Sequence, residues 1–446
     1  MPASPLSADY RPIANLDPHH LEVFLLQVGG LLLLAFALGR IAVRLGLPPI
    51  VGELTAGVLA GPSVLGHLLP GFSGWILPHE VEQMHLLDAV GQLGVLLLVG
   101  LTGAHLDLGL VRRRGATAAR VSGFGIVVPL ALGVACGLLL PATLVPDGVD
   151  RGTFALFLGV ALGISAIPVI AKTLLELRML HRDVGQLTLC AVTIDDLIGW
   201  ILLSVVSAMA TTGVQTGGVL WAVAKVALVL ALALLAGPLA RRAFRTVRPR
   251  LGDAACSAIV VGLVLLAAAG TQALGLEAVF GAFLAGVVLG GPDGVGRMPA
   301  LDAAVMNVLA PVFFVTAGLR MDLTALARPV VLLAAAVLLA SAIAGKFAGA
   351  YAGARLSRLG HWEGLALGAG MNARGVIEVV IAMVGLRLGV LPPEMYTVIV
   401  LIAVVTSVMA PPVLRRSMAH LEESDEERER GRPAAVREPA GTASPA

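Results

Sequence analysis

The stretch Ala191–Trp200, AVTIDDLIGW, sets two adjacent aspartates, Asp195 and Asp196, inside an apolar run that extends from about residue 184 to about residue 210. A run of that length is enough to cross a bilayer as a helix. Both carboxylates lie about a dozen residues into it, too deep to reach water by snorkelling. An ionisable group in hydrocarbon costs about 2.5–3.5 kcal/mol even on the lenient insertion scale, so such groups face the bundle interior and pair, or serve a function. Successive helical positions are about 100° apart, so the two carboxylates point in different directions. One can face a water-filled cavity while the other meets a neighbouring helix.

The rest of the chain has the same character. Of 446 residues, 57% are hydrophobic and 13% charged, and the mean hydropathy is +0.91. A soluble protein of this length carries about twice that charge fraction. Apolar stretches of roughly 18 residues or more recur, which predicts an all-α polytopic membrane protein. The polar segment before the first run holds Asp9, Arg11, Asp17 and Glu22 and does not read as a cleaved signal peptide. A net charge of +2 gives no reason to expect nucleic acid as a partner. Cys136, Cys190 and Cys256 share no metal-like spacing and read as small buried residues. No Walker motif or Gly-rich nucleotide fingerprint is present, so no nucleotide-binding domain and no cofactor are expected.

About thirteen spans are predicted, at about 23–46, 48–66, 86–104, 116–140, 153–173, 184–210, 217–240, 255–274, 276–291, 303–319, 329–353, 363–387 and 393–414. This divides the chain into an extracytoplasmic N-terminal segment (1–22), a membrane domain (23–414) and a cytoplasmic tail (415–446). From about Glu422 that tail is charged and Pro-rich and reads as disordered. Arginine and lysine concentrate in alternate loops: Arg40 and Arg44, Arg112–Arg114, Lys172 to Arg182, Arg241 to Arg250, Arg297, Arg355 and Arg358, and Arg415 and Arg416. The other connections carry Arg151, Arg320, Arg328 and Arg387. The bias predicts a plasma (inner) membrane protein with its N-terminus outside and its C-terminus in the cytoplasm.

The two halves echo each other. AGVLAGP at 56–62 resembles AGVVLGGP at 285–292, GAHLDL at 103–108 resembles GLRMDL at 318–323, and ALGISAIPVI from 161 resembles ALGAGMNARGVI from 366. These pair spans 2 with 9, 3 with 10 and 5 with 12. An offset of seven helices makes partners cross the membrane in opposite directions, which predicts an inverted repeat of spans 1–6 and 8–13. Spans 5 and 12 also carry helix-interrupting residues: Pro168 in one, and Asn372 with Gly368, Gly370 and Gly375 in the other. Broken helices at matching places in inverted repeats point to an ion site near the midplane.

The remaining intramembrane charges are few. Arg120 and Lys225 read as snorkelling or structural, and Glu53 and Glu277 as interfacial. Lys346 lies deep in span 11, in AIAGKFAGAY, and is expected to pair with one of the two aspartates. Arg374 is expected to offset negative helix ends and to pair with Glu378 one turn on.

These pieces together resemble the monovalent cation:proton antiporter superfamily, in particular its branch of bacterial sodium/proton antiporters and plant and fungal cation/proton exchangers. The resemblance runs from about 24 to 414 and rests on GELTAGVLAGPSVLG, GISAIPVIAKTLLEL, TIDDLIGW, VFGAFLAG, PVFFVTAGLRMDL, GKFAGA and MNARGVIEVVIAMVG. The last looks more like the plant exchangers than like bacterial relatives with glutamate directly after Arg-Gly. The resemblance implies a homodimer in which a core domain moves like an elevator against a dimerisation domain. It implies that Asp196 binds the cation or protons, and that Asp195 sits where relatives form a salt bridge to a lysine, here Lys346. Ser165 falls where relatives often have threonine near the ion.

Residues and resemblance together predict secondary active antiport of a monovalent cation, Na+ or K+, against protons. The two ligands would compete for the intramembrane aspartates, and the protein would not be an enzyme. Two acids and a lysine suit two protons per cation; a permanent Asp195–Lys346 bridge leaves one titrating carboxylate. A channel lacks a filter segment here, and an aspartyl protease needs carboxylates that converge on one water. Proton-coupled efflux of an organic substrate or drug is the alternative and requires a large apolar cavity.

Overall fold

A computed structural model describes residues 17–77, 81–105, 108–212, 216–290 and 298–431. Helices make up the fold, in the order α1 (Pro18–Arg44), α2 (Pro49–Ala60), the short α3 (Leu65–Leu68) and α4 (Pro70–Ile76), α5 (Val81–Ala104), α6 (Leu108–Leu139), α7 (Arg151–Gly163) and α8 (Ile167–Glu176). There follow α9 (Asp183–Thr212), α10 (Thr216–Val247), α11 (Asp253–Ala273), α12 (Ala278–Leu289), α13 (Pro299–Ala304), α14 (Ala310–Leu319) and α15 (Pro329–Leu356). The chain continues through α16 (His361–Met371), α17 (Val376–Arg387), α18 (Pro393–Met418) and α19 (Asp425–Gly431). No strand occurs among the described residues.

Ten of these helical segments are long and apolar enough to cross a membrane, or eleven when α16 and α17, bent by 45° at their junction, count as one span. The expected spans at 153–173 and 276–291 are built differently. The first is split into α7 and α8, of 13 and 10 residues, and the second is α12, of 12 residues. Each of these is short of the roughly 20 residues that a membrane crossing needs.

Several helices start where a proline occupies the first turn: Pro18, Pro49, Pro299, Pro329 and Pro393. The missing N–H is one that a helix start cannot use. Asp17 and Asp150 cap α1 and α7, accepting from the backbone N–H groups of His19 and Thr153 at 2.8 Å each.

Small residues set the closest helix crossings. A Cβ on Gly57 of α2 would lie 2.1 Å from the Val315 carbonyl of α14, and one on Gly286 of α12 would lie 1.9 Å from the Gly100 carbonyl of α5. Only glycine permits these approaches, which is the packing mode expected where lipid supplies no hydrophobic drive between helices.

The helices form two packing groups. α6, α7, α8, α15, α16, α17 and α18 gather around α9; α1, α2, α5, α10, α11, α12 and α14 form the other group. α9 lies at the boundary between the groups, since α10 and α12 of the second group also pack against it.

The structure departs from the expected disorder beyond Glu422. Residues 425–431 form α19, and the segment docks on the loop before α9. His181 Nε2 lies 2.6 Å from Glu423 Oε1, and Arg182 donates to the Leu421 carbonyl at 2.9 Å. Arg182 Nε also lies 3.2 Å from Glu427 Oε2. The Asp183 N–H, at the start of α9, donates to Glu427 at 2.6 Å. Composition suggested a solvated tail because the partners that order it lie about 240 residues away in sequence. The remainder of the tail, residues 1–16, part of GAHLDL, the end of AGVVLGGP and Arg297 lie outside the described residues.

Candidate functional site

Two helix breaks meet inside the first packing group. α7 ends at Gly163 and α8 begins at Ile167, with Ile164 and Ala166 extended between them. α16 ends at Met371 and α17 begins at Val376, with Asn372 and Gly375 in the gap. Pro168 lies in the first turn of α8, where it favours a helix start and cannot prolong α7. The Ala166 N–H donates to the Ala373 carbonyl at 3.1 Å, so each break supplies the other with a backbone partner that its own helix no longer provides.

The exposed helix ends at these breaks are satisfied by charge. Arg374 donates to the last carbonyls of α7, Ala161 at 3.3 Å and Leu162 at 2.6 Å, and to Ala342 of α15 at 3.4 Å. A guanidinium at a helix C-terminus opposes the negative end of the helix dipole. Its Nη1 lies 3.2 Å from Glu378 Oε1. Glu378 also accepts from the Gly375 N–H at 2.7 Å and so caps the N-terminus of α17. Ser407 of α18 donates to the Arg374 carbonyl. Arg374 and Glu378 are both completely buried.

Asp195 receives three donors. Lys346 Nζ lies 2.6 Å and Ser165 Oγ 2.9 Å from its Oδ2, and Ser122 Oγ lies 2.6 Å from its Oδ1. Ser165 also sits 2.6 Å from the Met371 carbonyl at the end of α16, so its single proton serves one of two acceptors. Lys346 and Asp195 are fully buried, so the pair is shielded from bulk solvent.

Asp196 points elsewhere, as the helical angle requires. It is also fully buried, yet neither of its carboxylate oxygens has a hydrogen-bond partner. The Ile167 amide, at the positive N-terminal end of α8, is the backbone donor close enough to act on it electrostatically. Asn372, in the second break, is buried with both amide atoms unpartnered. Of Asp195, Asp196 and Glu378, only Asp196 lacks a hydrogen-bonded cation.

An unpaired carboxylate beside unwound backbone offers hard oxygen ligands of the kind that accept a proton or a small cation. Two carboxylates that diverge from one helix do not share a catalytic water. Ser122, Ser407 and the Ala161 and Leu162 carbonyls are absent from the sequence-based set. Ser122 stands in an apolar span like many other serines and threonines, most of which bond their own helix, and nothing local distinguishes it.

A profile of the family described as sodium/hydrogen exchanger, transmembrane, matches residues 31–419. The Na+/H+ antiporter NhaS4 of Synechocystis is 30% identical over 410 residues, covering 90% of this chain and 98% of that one. The Na+/H+-K+ antiporter GerN of Bacillus cereus is 27% identical, covering 88% and 95%. Cation/H+ antiporter 15 of Arabidopsis thaliana is 29% identical over 381 residues, but this chain spans 44% of its length. Among solved structures, the sodium proton antiporter MjNhaP1 of Methanocaldococcus jannaschii shares the fold with a TM-score of 0.65 at 17% identity, over 90% of this chain and 97% of that one. The chain belongs to the sodium/hydrogen exchanger family, within the monovalent cation:proton antiporter superfamily, and is a multi-pass membrane protein.

Proposed function

We propose that this protein is a secondary active antiporter that exchanges a monovalent cation, Na+ or K+, for protons, with Asp196 as the carboxylate for which the two compete. The observation that carries this reading is the buried Asp196 carboxylate with no hydrogen-bond partner, next to two crossed helix breaks. A buried charge without a partner is costly, so the group is held for an occupant that neutralises it. A proton and a cation each do so, and each excludes the other. Asn372, whose amide atoms are unpartnered in the second break, supplies a further oxygen ligand. Asp195, Lys346, Arg374 and Glu378 hold the crossing together, and Ser165 joins it to Asp195.

Alternating access by an inverted repeat of spans 1–6 and 8–13, thirteen in all, fits the packing. α2 and α12, the helices of the first sequence echo, each have 12 residues. α2 crosses α14 as α12 crosses α5, the exchange that a two-fold swap of the halves requires. Loop arginines favour an N-terminus outside and a cytoplasmic C-terminus in the plasma membrane. A homodimer is part of the same reading, with chemical crosslinking in membranes as its check. Organic-substrate efflux is not favoured: an apolar groove of about 400 Å³ among α10, α11 and α12 and a larger one of about 460 Å³ beside α3 and α4 are lined by neither aspartate.

The test uses proteoliposomes with an internal pH dye and an imposed proton gradient. Na+, K+ or Li+ is added in turn to wild type and Asp196→Asn. Cation-evoked dequenching that vanishes in the variant is the expected result, and the responding ion names the substrate. No response to any cation from monodisperse wild-type protein over roughly pH 6 to 9 would overturn the reading.

A further inference from the structure

Glu277 stands just before the first residue of α12, in the second packing group, and is 5% exposed. Its carboxylate is gripped from the first group. Ser207 of α9 donates to Oε1 and Arg387, at the end of α17, donates to Oε2, each at 2.5 Å. The Glu277 carbonyl accepts from Thr271 of α11 at 3.1 Å, which ties the residue to its own group. Glu277 therefore fastens the two groups together across their seam, near the C-terminal end of α9.

From this fastening a stripe of polar groups runs inward along one face of α9. Ser207, Ser204, Trp200 and Asp196 follow at steps of three, four and four residues, the spacing of one helix face. Their Cα atoms span roughly 16 Å along the axis. Ser204 Oγ, Trp200 Nε1 and both oxygens of Asp196 are buried and have no hydrogen-bond partner. Nearly all buried polar atoms in folded proteins are partnered, so three unpartnered groups in one line that ends at Asp196 mark a path for polar occupants. The Trp200 ring lies 5.9 Å from that of Phe283 of α12, so this face of α9 meets the second packing group. Arg387 also lines a cavity of about 140 Å³ whose wall mixes Asp88, Gln92, Thr316 and Arg320 with Phe313 and Met383.

We propose that this face of α9 is the access route to Asp196 from the side on which α9 ends, and that Glu277 is its gate. Opening the seam on that side requires Glu277 to release Ser207 and Arg387; while it holds them, the route is shut there. The proposal rests on Asp196 as the exchanging carboxylate. It assigns Glu277, Arg387 and Ser207 a gating role and places Trp200 and Ser204 along the path.

The test reads accessibility rather than transport. Ser204→Cys is introduced where Cys136, Cys190 and Cys256 are replaced by alanine, and labelled in intact cells or sided vesicles with a small membrane-impermeant thiol reagent. Adding Glu277→Gln, or separately Arg387→Gln, is expected to raise labelling from the α9 C-terminal side about tenfold or more, in line with the loss of a charge-assisted hydrogen bond. Val206→Cys, buried off the stripe on the same helix, is the control and stays unlabelled. Equal labelling of Ser204→Cys with and without both gate substitutions, in protein that remains monodisperse, overturns the proposal. So does a parallel rise at Val206→Cys, which would mean general loosening. Because labelling needs no antiport, loss of the gate and failure of the Asp196 reading remain distinguishable.

Discussion

Asp195 and Asp196 are neighbours in sequence and equally buried, yet their surroundings are opposites. Asp195 lies within hydrogen-bond reach of an ammonium and two hydroxyls, drawn from α6, α15 and the first helix break. Asp196, about 100° around the same helix, meets no hydrogen-bonding side chain. Burial without a partner is costly for a carboxylate, and a lysine with two hydroxyls offsets much of that cost. On the proposed reading, one acid holds the break region in place and the other exchanges its occupant.

The largest expected effect separates these roles. Asp196→Asn removes cation-evoked proton movement altogether and leaves thermal stability in detergent unchanged or higher, since it deletes an unpaired buried charge. Lys346→Ala does the reverse to stability. It strands Asp195, and breaking a buried pair by removing one partner costs about 3–5 kcal/mol. The thermal midpoint then falls sharply. Equal loss of stability in both variants would erase the contrast between the two acids.

Arg374→Lys tests the scaffold behind them. Lysine keeps the charge but loses the planar fork that reaches Ala161, Leu162 and Glu378 together. The expected cost is about 1–3 kcal/mol, read as a lower melting temperature with a matching drop in exchange rate. Ser122→Ala and Ser165→Ala sharpen the comparison further. Each removes one donor from Asp195 and should cost about 0.5–1.5 kcal/mol. Only Ser165→Ala, at the break, should also change the apparent cation affinity.

The smallest effect lies at the docked tail. Burial alone would raise the Glu427 carboxyl. Hydrogen bonds from the Asp183 and Ser424 N–H groups, with Arg182 beside it, outweigh burial and hold its pKa below the usual carboxylate value. A lowered folded-state pKa means that docking is favoured above the usual carboxylate range and is lost as pH falls through the lowered value. Limited proteolysis of the tail should thus be slow at neutral pH and rise only in acid. Glu427→Ala should expose the tail at neutral pH with a cost of about 1 kcal/mol or less and leave the thermal midpoint of the membrane domain unchanged.

Much of this was legible in the chain itself. Apolar run length gave the membrane class and the long helices, because a bilayer imposes a length on every crossing; the expected spans at 153–173 and 276–291 are shorter helices in the structure. Pro168, which starts a helix more readily than it continues one, and Gly375 beside Asn372 marked the two breaks, although Gly368 and Gly370 lie inside α16. The spacing of Arg374 and Glu378 gave their pairing, since four residues make one turn. The divergence of Asp195 and Asp196 followed from helical geometry alone.

What required the tertiary structure was the choice among partners. Lys346 could have paired with either aspartate, and only packing put it on Asp195, 151 residues away. Ser122 resembles every other serine in an apolar span until α6 is laid against α9. Glu277 read as interfacial from its place near a span start, yet it is buried and gripped by Arg387, 110 residues on. Local sequence fixes what a residue can do within one turn of its own helix. Which buried charge meets which depends on how distant helices cross, and that is decided by the packing of small residues along their faces.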